Sequence, residues 1–110
     1  MGKFVRGDVV VMPFPFSDLS NSKKRPALVV AKLKGENVIL CQITSKARDD
    51  DYNIDLKNKD FLSGGLPLDS NIRPNMLFTG HTRTIIKRAG SLNKAKIQEV
   101  VDKIKKIIEA

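Results

Sequence analysis

GDVVVMPFPFSDLSNSKKRPALVV, residues 7–30, reads as a strand, a polar loop, a basic knot and a second strand. Val9, Val10 and Val11 form a β-branched run that suits a pleated sheet. Asp18, Ser20, Asn21 and Ser22 are turn formers. Lys23, Lys24 and Arg25 close the loop, and Pro26 follows at once. A proline biases the preceding residue toward extended backbone, so Pro26 helps to aim the Arg25 side chain. Ala27 to Ala31 then runs apolar toward a core. A cation cluster at a strand mouth is chemically suited to a phosphate, through charge-assisted hydrogen bonds to its oxygens. A solvated basic hairpin tip is the plain alternative for the same residues.

The bulk properties fit that local picture. The chain has 110 residues, the size of one domain (1–110) with one modest core, and its 41% hydrophobic content predicts folding. A formal net charge of +8 favours an acidic or nucleic-acid partner, although charge says nothing about fold. The single cysteine, Cys41, excludes an internal disulfide and fits a reducing, cytoplasmic setting. There is no CxxC and no paired His/Cys spacing, so no metal site is expected. The apolar run after Lys3 and Arg6 is interrupted by Asp8 and two prolines, which does not suit a signal peptide. No stretch approaches the roughly 20 apolar residues of a membrane span.

Beyond the first hairpin, Lys34-Gly35-Glu36-Asn37 marks a turn. Val38 to Thr44 follows as a strand with Ile39, Cys41 and Ile43 on one face, and Gln42 and Thr44 on the other. Cys41 reads as a buried small hydrophobe. Tyr52 to Leu56 alternates like a half-buried strand. Residues 57–68 read as a long connection able to cover or uncover a groove. Ser70 to Thr79 reads as extended, with Ile72, Met76 and Phe78 on one face and Pro74 making it an edge or bulged strand. Gly80-His81 is a corner, and Thr82 to Lys87 a short strand. The last segment is a helix with Asn93 as N-cap and Leu92 with Ile97 as a hydrophobic staple. Ile97, Val100, Val101, Ile104, Ile107 and Ile108 form its apolar stripe. Glu99 and Lys103 are spaced as an ion pair. The whole predicts a mainly β (α+β) fold, a small sheet or barrel of strongly bent antiparallel strands closed by a C-terminal helix.

The opening stretch, with its G-D…F…KRP-x-LVV pattern, resembles the MazF/PemK toxins. So do QITS at residues 42–45, SNIRPNMLFTGHTRTI at 70–85 and the closing helix, so the resemblance spans almost the whole chain. It implies an SH3-like barrel of the CcdB-MazF type that forms a homodimer. It further implies a toxin-type endoribonuclease that cuts single-stranded RNA, usually mRNA, without cofactors or metal, and is neutralised by a cognate antitoxin. Arg25 falls on the family's catalytic arginine and Thr44 on its catalytic threonine. Ser70 and the run from His81 to Ile85, which includes Arg83, fall on positions that line the RNA groove. Two departures stand out. His81 occupies a place where relatives often carry Gln, and Ser20 and Ser22 stand in a loop where some relatives carry an acid.

The chemistry that these residues would perform is simple. RNA carries its own nucleophile, the 2′-hydroxyl. The protein must align it, move two protons and stabilise a doubly charged phosphorane. Arg25 has two parallel donors for two phosphate oxygens. Thr44 offers a hydroxyl to hold the phosphate or relay a proton, or else simply bonds its own backbone at a strand end. Histidine is the residue type whose free side chain changes charge nearest neutrality, so His81 is a candidate general base or acid, with an exposed turn histidine or a base-stacking contact as alternatives. Lys23, Lys24, Ser45, Ser70, Arg83 and Arg73 are candidates to hold the RNA. Phe14 and Phe16 are either two core rings or one core and one groove ring. On a shared barrel, a non-catalytic toxin such as a CcdB-like topoisomerase poison, or a plain nucleic-acid-binding barrel, is the rival reading.

Overall fold

The computed structural model describes residues 4–14, 23–46 and 49–110. Phe16 and the turn formers Asp18, Ser20, Asn21 and Ser22 lie outside the described residues. The strands are β1 (Asp8–Pro13), β2 (Lys24–Lys32), β3 (Asn37–Thr44), β4 (Ile54–Leu56), β5 (Phe61–Gly64), β6 (Ser70–His81) and β7 (Lys87–Leu92). One helix, α1 (Lys94–Glu109), ends the chain. The strands form a single sheet in the order β4-β6-β3-β2-β1-β7-β5, every pair antiparallel. The register shifts in four of the six ladders. Each such shift bends and twists a strand, and together they curl the sheet into a half-barrel.

Strand alternation divides the apolar residues between two faces. Val9, Leu28, Val30, Cys41, Ile43 and Ile72 face α1, whose Ile97, Val100 and Ile104 pack onto them. Val10, Met12, Phe14, Ala27, Val29, Val38 and Leu40 occupy the other face, where Phe4, Phe78 and Ile85 cover them. The expected split of β3 holds, since Cys41 and Ile43 are in the helix-facing core while Gln42 and Thr44 are not. Burial pushes the Cys41 thiol up to about 12, so it stays protonated and inert. Asn93 caps α1 by accepting from Lys96 N at 2.8 Å, and Leu92 and Ile97 meet in the same core.

Several expectations are overturned. The connection at 57–68 is not an open loop. Asp60 accepts from Lys57 N at 2.9 Å and closes a 3-10 turn, and β5 then pairs with β7. Gly64 adopts φ +71° there, and a Cβ at that position would run into the Ala89 carbonyl. Thr82–Thr84 is a 3-10 turn and not a strand, because His81 Nδ1 accepts from Arg83 N at 3.0 Å and Thr84 Oγ1 donates to His81 O at 2.7 Å. The strand Tyr52–Leu56 begins only at Ile54, since Asp50 Oδ1 draws Tyr52 N into a turn at 3.0 Å. Pro74 produces a bulge but not an edge: β6 lies between β4 and β3, and one step on β3 (Cys41 to Gln42) spans Leu77 back to Arg73. That bulge leaves Met76 exposed and separates Ile72 and Phe78 into different cores. On α1, Glu99 pairs with Lys96 at 3.0 Å, not with Lys103, which donates to Asp51 O at 2.9 Å. Ile108 lies beyond the stripe's buried part, 71% exposed.

Candidate active site

The register of four strands assembles the site. Val10, Ala27, Gln42 and Arg73 lie in one row across β1, β2, β3 and β6. One pleat further along, Met12 pairs with Arg25, and Thr44 pairs with Asn71. The β2–β3 ladder ends at Ala27–Gln42, and carrying its register on by two residues sets Arg25 across from Thr44. Directly opposed side chains lie about 5 Å apart at Cβ. Arg25, Thr44, Asn71, Gln42 and Arg73 therefore share one face, beyond the apolar patch of Val10, Ala27 and Leu40. The structure thus puts Arg25 and Thr44 on the same face, at the ends of neighbouring strands.

Arg25 is propped from below. Its Cζ lies 5.9 Å from the centroid of Phe14, within cation–π range. Phe14 is buried and meets Phe78 edge-on, with centroids 5.5 Å apart at 68°. Phe14 is thus a core ring with a second task. No carboxylate among the described residues pairs with Arg25. Lys23 and Lys24 are exposed beside it. Thr44 Oγ1 accepts from Lys46 N at 3.2 Å, which orients the hydroxyl as the chain leaves the strand, and Ser45 is exposed next to it.

Arg73 differs. It is 7% exposed and grips Asp50 with both terminal nitrogens, Nη1 to Oδ1 at 3.0 Å and Nη2 to Oδ2 at 2.6 Å. That guanidinium holds the Asp50 carboxyl down to about 2. Nη1 also donates to Asn53 Oδ1 at 3.4 Å, and Asn53 Nδ2 donates to Asn71 Oδ1 at 2.7 Å. Arg73 is therefore spent on the protein itself and does not track phosphates. Nothing in the sequence alone coupled it to Asp50, which is 23 residues away. Asn71 and Gln42 share the face of Thr44, and for Gln42 the alternation along β3 is the sequence signal that places it there.

The remaining candidates are placed elsewhere. His81 pairs with Asn37 at the opposite end of β3 from Thr44, roughly 20 Å of extended strand away. Its Nδ1 is occupied by Arg83 N, and Arg83 is exposed on that turn. Ser70 alternates with Ile72 onto the helix-covered face, and its Oγ donates to Leu68 O at 3.0 Å. Among the described residues no three His, Cys, Asp or Glu side chains converge as a metal site, and no helix is long and apolar enough to cross a membrane.

Comparison with known proteins adds the following. Residues 5–108 match the family described as PemK-like, MazF-like toxin of type II toxin–antitoxin systems. No curated protein matches the chain by sequence. An endoribonuclease in complex with its cognate antitoxin, from a mycobacterial species, superposes with a TM-score of 0.76 at 14% identity, covering 96% of this chain and 95% of that one. The MazE-MazF structure from Deinococcus radiodurans gives 0.74 at 16% identity, with 96% of each chain covered. The Mycobacterium tuberculosis toxin MazF-mt6 gives 0.71 at 14%, covering 93% and 96%. At these identities the likeness is one of fold.

Proposed function

The chain belongs to the PemK-like, MazF-like toxins of type II toxin–antitoxin systems, and from that premise we propose that it is an endoribonuclease acting on single-stranded RNA. It works as a homodimer in the cytoplasm and is held inactive by a cognate antitoxin. Structural neighbours described as an endoribonuclease with its antitoxin and as a MazE-MazF complex support this reading. The observation that carries it is that Arg25, free of any carboxylate among the described residues, and Thr44 lie on one face of the sheet, both just past the end of the β2–β3 ladder at Ala27–Gln42.

In the proposed reaction the guanidinium of Arg25 binds two oxygens of the scissile phosphate. Its charge stabilises the phosphorane without a metal. The 2′-oxygen gives up its proton to water, relayed by the Thr44 hydroxyl, and bonds to phosphorus. The bond from phosphorus to the 5′-oxygen breaks, and that oxygen takes up a proton from water. The products are a 2′,3′-cyclic phosphate and a 5′-hydroxyl. Asp50 is a poor base for this step, because its carboxyl is held down to about 2. His81 stands at the wrong end of β3 to serve its own protomer's Thr44.

The test is incubation of the purified protein with single-stranded RNA in EDTA, followed by mapping of the cut ends. Discrete cuts bearing cyclic phosphate and 5′-hydroxyl ends are expected. Uncut RNA, or cuts bearing 5′-phosphates, would contradict the proposal. Gyrase trapped on DNA with RNA left intact would point instead to a topoisomerase poison.

A further inference from the structure

The hydrogen-bond chain behind Thr44 ends in an unspent donor. Arg73 has only donors, so the amide group of Asn53 that faces it must be the oxygen. Asn53 Nδ2 is then turned to Asn71 and donates to its Oδ1 at 2.7 Å. That bond leaves Asn71 with its Nδ2 pointing away from Asn53. No acceptor among the described residues takes this NH2 group. Asn71 is 8% exposed as a residue, yet no buried side-chain nitrogen or oxygen among the described residues lacks a partner. The amide nitrogen is therefore the part of Asn71 that reaches solvent.

It does so in a telling place. Asn71 is the registered partner of Thr44, on the face that also carries Arg25. The orientation is anchored from several sides. Asp50 clamps Arg73, Lys103 donates to Asp51 O at 2.9 Å, and Lys96 donates to Asp55 O at 3.0 Å. A donor whose direction is set before substrate arrives needs no reorganisation during reaction.

We infer that Asn71 is a third catalytic residue of the site, its amide N–H donating to a non-bridging oxygen of the scissile phosphate, with Asn53 and Arg73 as positioning residues. This rests on the reading of the protein as a ribonuclease. Arg25 and Asn71 flank Thr44 from the two neighbouring strands, so the phosphate is held from both sides of the hydroxyl.

The experiment is single-turnover cleavage of a short single-stranded RNA whose cut site has been mapped. Both an all-oxygen substrate and one with a single sulfur for a non-bridging oxygen at that site are used. For Asn71→Ala, cleavage should slow on the order of a hundredfold, the usual cost of one lost donor to a developing oxyanion. Affinity for uncut RNA should stay near that of wild type. The sulfur should slow Asn71→Ala clearly less than it slows the wild-type enzyme, because only the Arg25 contact to that position is left for it to weaken. A merely structural role would leave that sulfur effect intact. Asn71→Asp guards against misfolding, since its carboxylate still accepts from Asn53 Nδ2, and it should cut at least as poorly as Asn71→Ala. Wild-type rates in both variants, or a slower rate with an unchanged sulfur effect, overturn the inference while leaving the ribonuclease reading in place. A wild-type protein that leaves RNA whole overturns both.

Discussion

The two faces of the sheet are built on one backbone and put to different use. One is sealed: α1 lies over Leu28, Cys41, Ile43 and Ile72, and its apolar side chains are committed to packing. The other is apolar only around Val10, Ala27, Val29 and Leu40, and turns polar where β2, β3 and β6 reach Arg25, Thr44 and Asn71. A period-2 strand makes this division possible, because neighbouring residues serve opposite faces. Ile43 and Thr44 show it in one step: the first is fully buried against the helix side and the second opens the site. Two arginines on the open face repeat the lesson on a smaller scale. Arg73 is buried and clamped by a carboxylate, and Arg25 is propped on a ring with no carboxylate partner among the described residues. A guanidinium's neighbours, not its identity, decide whether it builds or binds.

That contrast can be broken in stated ways. Arg25→Ala should lower RNA cutting by about a hundredfold or more, with an unchanged melting temperature, because in the proposed reaction its fork serves the substrate and not the fold. A melting loss of the size seen for a core truncation would make Arg25 structural after all. Leu28→Ala, on the sealed face, should do the reverse and cost roughly 2–5 kcal/mol in a denaturant titration. Asp50→Asn should act through pH. The Asp50 carboxyl is held down to about 2, below the unfolded value of about 3.9. Its pairing with Arg73 therefore stabilises the protein above pH 4, and that contribution fades as pH falls toward 2. Acid unfolding curves of the variant should lack this part of the decline, and identical curves would show the clamp to be idle. Ile108→Ala, at the exposed end of the stripe, should change stability by less than about 0.5 kcal/mol. A larger loss in the isolated protomer would mean that the stripe is buried further than Ile104.

Much of this layout was legible in the chain. The β-branched run before the basic knot, the alternation of Ile39, Cys41 and Ile43, and the Asn93 cap are local signals, and local chemistry decided those elements. What escaped depended on distant partners. Phe61–Gly64 is too short and glycine-rich to announce a strand, and exists because β7 lies alongside it. Thr82–Thr84 has β-branched residues, yet a histidine ring nitrogen and a threonine hydroxyl wind it into a turn. Arg25 and Thr44 could be singled out by residue type and resemblance. The role proposed for Asn71 could not be read there, because it rests on the direction of one amide, set by Asn53 and Arg73.

The most direct measurement replaces the fork with a point charge. Arg25→Lys keeps the positive charge and loses the paired donors, a change that is not conservative where a phosphate is gripped by two oxygens. With fold and affinity for uncut single-stranded RNA matched to wild type, the cleavage rate of Arg25→Lys should fall on the order of a hundredfold. Cutting at the wild-type rate would show that any cation suffices there, and that no guanidinium clamp operates beside Thr44.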